Sequence, residues 1–206
     1  KIRGRAMAMH KSDELLEAGE LLYRELSKLG IEKLTSGYVL VNEEERISWN
    51  YGVNPKDETI MPRPTGIPQA GTKVMDSITD SWKKQDPLLV IELDPQETIE
   101  HQTFIATHAV NFPISKEQLL AISPERLVIH TFNFKQGYLL IVGGVLLSKE
   151  QQEMITRFAK VFEMTYRRFL DLKQAEAQAR EAQIELGLER VRARTMAMHR
   201  SEEIAD

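Results

Sequence analysis

Residues 126–147 read Arg-Leu-Val-Ile-His-Thr-Phe-Asn-Phe-Lys-Gln-Gly-Tyr-Leu-Leu-Ile-Val-Gly-Gly-Val-Leu-Leu. From Arg126 to Phe134 the side chains alternate. Leu127, Ile129, Thr131 and Asn133 fall on one face, and Val128, His130, Phe132 and Phe134 on the other, as in a strand with a repeat of two. Tyr138 to Leu147 is a dense apolar strand, and Lys135-Gln136-Gly137 joins the two as a hairpin. Directly after it, Ser148 with Gln151 three residues on is a capping box that starts a helix. A strongly apolar hairpin running into a capped helix sets the fold class as α+β.

Working outward, the upstream chain supplies the rest of the sheet. Residues 37–42 and 46–52 form an earlier hairpin, with Glu43-Glu44-Glu45 at its turn. Leu88 to Leu93 is a further buried strand. Val74 to Lys84, Pro95 to about Val110, and Lys116 to Ile122 are helices, with Pro95 suited to a first turn. Residues 53–71 carry Pro55, Pro62, Pro64, Pro68, Gly66 and Gly71 and read as a long loop of the kind that covers sites. Leu15, Ala18, Leu22, Leu26 and Leu29 give the opening helix an apolar stripe, and Gly30 is its stop.

Downstream of Ser148 the pattern is helical to the end. Ile155, Phe158, Phe162, Thr165, Phe169 and Leu172 continue a three/four stripe, which shifts phase before Leu188, Val191, Thr195 and Met198. Lys173 to Arg194 is rich in Ala, Glu, Gln and Arg, the composition of a solvated helix or coiled coil. The expected organisation is a helix over 1–30, an α/β domain over 31–150 and a connector helix over 151–206. The sheet is expected to be central and antiparallel, with about five to six strands flanked by the terminal helices.

The two ends repeat one another. Arg5-Ala6-Met7-Ala8-Met9-His10-Lys11-Ser12-Asp13-Glu14 faces Arg194-Thr195-Met196-Ala197-Met198-His199-Arg200-Ser201-Glu202-Glu203. Solenoid repeats recur every ~20–50 residues; this one recurs at a domain's length. Tandem domain copies joined helix to helix are the expectation. The chain opens on Lys1, which suits a piece of a longer protein.

Composition removes several functions. With 42% hydrophobic residues the chain can bury a core. A formal net charge of -4 argues against nucleic acid as the main partner. No cysteine is present, so disulfides, thiolate-bound zinc, a thiol nucleophile and thioether-held chromophores are excluded. No apolar run approaches the ~20 residues that span a bilayer, and a cytoplasmic location is expected. No His-Glu-x-x-His, phosphate-binding loop or nucleophile elbow occurs. Neither a catalytic set nor a metal site is expected, and the chain reads as no enzyme.

The order of elements resembles the GAF domain, whose central antiparallel sheet carries its terminal helices on one side. The Arg-x-Met-Ala-Met-His segment is similar to connectors beside GAF-like units in bacterial multidomain signalling proteins, sensor histidine kinases among them. The resemblance implies a sensory module that binds a small molecule and relays a signal through coiled-coil helices to adjacent domains of the same chain, as a homodimer. It names no ligand or cofactor. A ligand-free dimerisation or spacer module is the alternative, and a PAS-like fold is the structural runner-up. His10 and His199 have two readings, a phosphoacceptor or a histidine of a structural linker. Lys11-Ser12 and Arg200-Ser201 after them depart from phosphoacceptor boxes.

The candidate ligand-binding residues are Trp49, Tyr51, Trp82, Phe104, His108, His130 and Phe132, with Phe112 and Phe134 beside them. Apolar walls with a few polar groups suit a small molecule. The same set also reads as an ordinary aromatic core.

Overall fold

The computed structural model describes residues 21–54, 56, 57, 59 and 61–203, with side chains to residue 196. The first copy of the repeat with His10, most of the expected opening helix, and the side chains of Met198 and His199 lie outside the described residues. By contacts the chain divides into a compact unit through Tyr166 and a second unit from Arg167.

The sheet has six strands: β1 (Thr35–Asn42), β2 (Ile47–Gly52), β3 (Thr65–Pro68), β4 (Leu89–Leu93), β5 (Leu127–Phe134) and β6 (Gly137–Gly143). Their order is β3-β2-β1-β6-β5-β4, and every neighbouring pair is antiparallel. The helices are α1 (residues 21–28), α2 (Lys73–Lys84), α3 (Pro95–His108), α4 (Lys116–Ile122) and α5 (Lys149–Glu203). The fold is α+β, with an antiparallel sheet flanked by the helices of both ends.

Local chemistry sets the element ends. Gly30 stops α1 with φ +71°, and the N–H of Ile31 returns to the carbonyl of Leu26 at 3.1 Å, closing the carbonyls left open by the last turn. Asp94 and Ser115 make capping boxes with Glu97 and Gln118. Ser148 and Gln151 also bond reciprocally, at 2.9 and 3.2 Å.

Two expectations need correction. Residues 53–71 are not all loop, since Thr65–Pro68 is an edge strand on β2, with Thr65 opposite Asn50 and Pro68 opposite Ile47. Proline has no N–H to give a ladder, so it is tolerated at an edge or a strand end; Pro68 occupies the end. The strand from Tyr138 stops at Gly143 rather than Leu147. There the backbone passes close to residues before β1, and a Cβ on Gly143 would sit 3.1 Å from the carbonyl oxygen of Glu32.

Alternation divides the sheet into two faces. On one, Val39, Ile129, Leu140 and Val142 form a core with Met75, Ile78, Trp82 and Ile105 from α2 and α3. On the other, Tyr38 stacks on Tyr51, and Phe162 of α5 packs on Tyr38 and Phe134 with ring centroids 4.6 and 5.2 Å apart. Ile155 and Ala159 bury the same opening stretch of α5. In the second unit every residue from Leu170 to Met196 is exposed, including Ile184, Leu188 and Val191.

Candidate functional site

A cavity of about 80 Å³ lies on the first of these faces. Its floor is β6, through Tyr138, Leu140 and Val142, with Asn50, Thr65 and Ile67 from β2 and β3. Its roof is α2 and α3, through Met75, Ile78, His101, Gln102 and Ile105, and its rim includes Val53, Met61, Phe112 and Leu119. Among the described residues the lining holds no Lys, Arg, Asp or Glu.

Two buried polar atoms in this lining lack a hydrogen-bond partner among the described residues, Oδ1 of Asn50 and Nδ1 of His101. Buried polar atoms are nearly always paired, and leaving one unpaired costs about 1–3 kcal/mol. The space Asn50 occupies is made by two glycines. Gly37 and Gly52 lie opposite one another in the ladder, and a Cβ on Gly37 would come 2.8 Å from Asn50 Oδ1 and 2.9 Å from the Cα of Gly52. His101 is on the buried side of α3, beside Thr98, Gln102 and Ile105. Burial pushes its pKa down to about 4, so the imidazole is neutral at pH 7.

The other polar groups of the lining are paired. Gln102 donates to Ser123 Oγ at 2.9 Å, Thr65 to Met61 Sδ at 3.4 Å, and Thr35 to the carbonyl of Val53 at 3.3 Å. Tyr138 shares a hydrogen bond with Ser48, and burial outweighs it to push the phenol up to about 12. The site therefore has apolar walls, with two unpaired, uncharged hydrogen-bonding atoms buried in its lining residues. Among the described residues no cluster of three or more His, Cys, Asp or Glu side chains is arranged to hold a metal ion, and no helix is long and apolar enough to cross a membrane.

No family model matches the chain, and no curated protein matches it. Among solved structures it is similar to a crystal structure of a methyl-accepting chemotaxis protein, residues 122 to 287, with a TM-score of 0.48 and 13% sequence identity over 82% of this chain and 94% of that one. A likeness at that level assigns this chain neither a family nor a ligand.

The seven aromatic and histidine residues picked from the sequence do not converge on this cavity. Trp49 and Tyr51 lie opposite Leu40 and Tyr38, and His130 and Phe132 opposite Ile141 and Leu139; all four belong to the α5 face. Their neighbours Asn50 and Ile129 point the other way because strand side chains alternate. Trp82 is on the cavity side but in the core, its indole N–H donating to the carbonyl of Phe134 at 3.2 Å. Phe104 and His108 stack on one another at 4.6 Å, with Phe104 half-buried and His108 exposed.

His130 is fully buried, and its Nε2 accepts the main-chain N–H of Leu147 at 3.3 Å. Burial lowers its pKa to about 4, against a bond to the main chain of Ile141 that acts the other way. Phe112 of the wider aromatic set does line the cavity. Sequence reasoning passed over Asn50, Thr65 and Gln102. One signal was available for Asn50, a polar residue at the inward position of an alternating strand.

Proposed function

We propose that the chain is a GAF-like sensory module that binds a small molecule in the cavity between its sheet and α2–α4, and signals through α5. The observation that carries this reading is the cavity itself, apolar yet holding the unpaired atoms of Asn50 and His101. Buried unpaired atoms also occur outside the lining, on Ser36, Thr131, Asn133 and Gln136, so the support comes from two of them meeting an apolar cavity. No catalytic step belongs to this reading.

A path for the signal follows from the sheet. Tyr138, Leu140 and Val142 of β6 line the cavity, while Leu139 pairs with Tyr38 on the opposite face. Tyr38 in turn meets Phe162 of α5. A ligand that prefers one arrangement of β6 and β1 shifts the packing under α5 by its difference in affinity for the two states. The exposed Ile184, Leu188 and Val191, spaced by four and three residues, suit pairing with the same helix of a second copy. They equally suit the second reading, a dimerising spacer without a ligand.

Thermal melting of the 206-residue chain against a library of metabolites tests the sensing reading. A compound that raises Tm in a saturable way supports it. A library with no such compound, on a chain that sediments as a dimer, leaves only the spacer.

A further inference from the structure

The cavity's chemistry constrains its ligand more tightly than its size does. Among the described residues no ionised side chain lines it, and an ion moved into such a site without a partner loses its hydration uncompensated. Charged metabolites, phosphates and carboxylates among them, are therefore disfavoured. The amide oxygen of Asn50 only accepts hydrogen bonds, so its missing partner is a donor. The imidazole of His101 is neutral, and its Nδ1 donates or accepts according to the tautomer. It therefore meets a second polar atom of either kind.

The body of the ligand is apolar, because the remaining walls are chiefly Ile, Leu, Val and Met side chains. The space of about 80 Å³ is smaller than the ~150 Å³ that admits benzene. Met61 and Met75 stand in the wall, and unbranched thioether chains change rotamer readily to suit an occupant. The site thus accepts a compact body at the scale of a single ring.

We propose that the cavity binds a compact, uncharged, apolar-bodied molecule bearing an O–H or N–H donor, of the phenol, azole or short alcohol class, with Asn50 Oδ1 as the acceptor. This rests on the sensing reading above and narrows it to a ligand class.

Three probes on the unaltered chain at pH 7.5 separate the requirements: phenol, anisole and benzoate, each at up to a few millimolar. Phenol carries ring and donor, anisole a similar body without the donor, and benzoate a charge. Phenol is expected to raise Tm, anisole to bind about tenfold more weakly, the difference left by one unpaired acceptor, and benzoate to leave Tm unchanged. Asn50→Leu is expected to bring phenol down to the level of anisole; should that variant not fold, the three probes still decide. Equal shifts from anisole and phenol overturn the donor requirement, and a larger shift from benzoate overturns the exclusion of charge. If phenol fails while a charged metabolite from the library stabilises the chain, the ligand class is wrong and the sensing reading survives. If nothing stabilises it, both fall.

Discussion

Leu147 donates its main-chain N–H to Nε2 of His130 across 3.3 Å. The bond fixes the residue before the Ser148 cap to strand β5, so the start of α5 depends on a neutral, buried imidazole. Protonation removes the acceptor lone pair.

That dependence gives stability a pH profile. Burial holds both His130 and His101 at about 4 in the folded chain, below the ordinary 6.5. Between those values the unfolded chain binds more protons, so stability is full above about pH 6.5 and falls as the pH drops toward 4. Unfolding free energies from urea melts at pH 7 and pH 5, where most carboxylates are still ionised, are expected to differ by on the order of 2 kcal/mol per ring, the lower value at pH 5. His130→Gln flattens part of the slope. A midpoint unchanged across that range contradicts the placement of both rings.

Two glycines have opposite responses to alanine. A Cβ on Gly37 meets the Cα of Gly52 at 2.9 Å and Asn50 Oδ1 at 2.8 Å. Backbone cannot yield as a side chain does, so Gly37→Ala is expected to lower stability by about 1–3 kcal/mol or more. Gly187 of α5 has nothing within 4 Å of a Cβ, and there alanine restrains the unfolded chain and favours helix by about 0.5–1 kcal/mol. Denaturation of Gly37→Ala and helix content of Gly187→Ala by circular dichroism measure the two effects.

Thr98 ties α3 to the sheet. Its hydroxyl accepts the buried main-chain N–H of Leu127 at 3.0 Å, the first residue of β5. Thr98→Val keeps the shape and strands that donor, at an expected cost of about 1–3 kcal/mol. Hydrogen exchange at the Leu127 amide should speed up more than at Ile129, its neighbour further along the strand.

The exposed apolar side chains of α5 predict an association that can be separated from folding. Leu188 and Val191 are more than half exposed, at 52% and 64%. The double change Leu188→Glu with Val191→Glu is expected to leave the melting of the sheet domain unchanged and to shift sedimentation toward the monomer. A wild-type chain that is already monomeric at high micromolar concentration contradicts the pairing.

The sheet was readable wherever one strand's own pattern was enough. Leu127 to Phe134 alternates in the sequence as it does in the structure, and Ser148 with Gln151 marks the start of α5 at Lys149. Strand β3 was not readable, because Pro64 and Pro68 mask four residues whose strand character comes from pairing with Ile47–Asn50. The candidate site was readable only in part. Aromatic residues drew attention to Trp49, Tyr51, His130 and Phe132, yet the cavity is lined mostly by aliphatic side chains on the opposite face.

By itself the sequence determined the α+β class, most element positions and their caps, since periodicity and capping are local and depend on residues within a few positions. Only the tertiary structure decided that β1 and β6 lie side by side at the centre of the sheet. It also decided which face closes over a cavity, and that Asn50 and His101 line that cavity with atoms unpaired. Gly37 and Gly52 make room for Asn50 only because the register sets them opposite one another, and His101 is buried only because α3 docks across the sheet. Those facts depend on contacts between segments far apart in the chain, which no local pattern encodes.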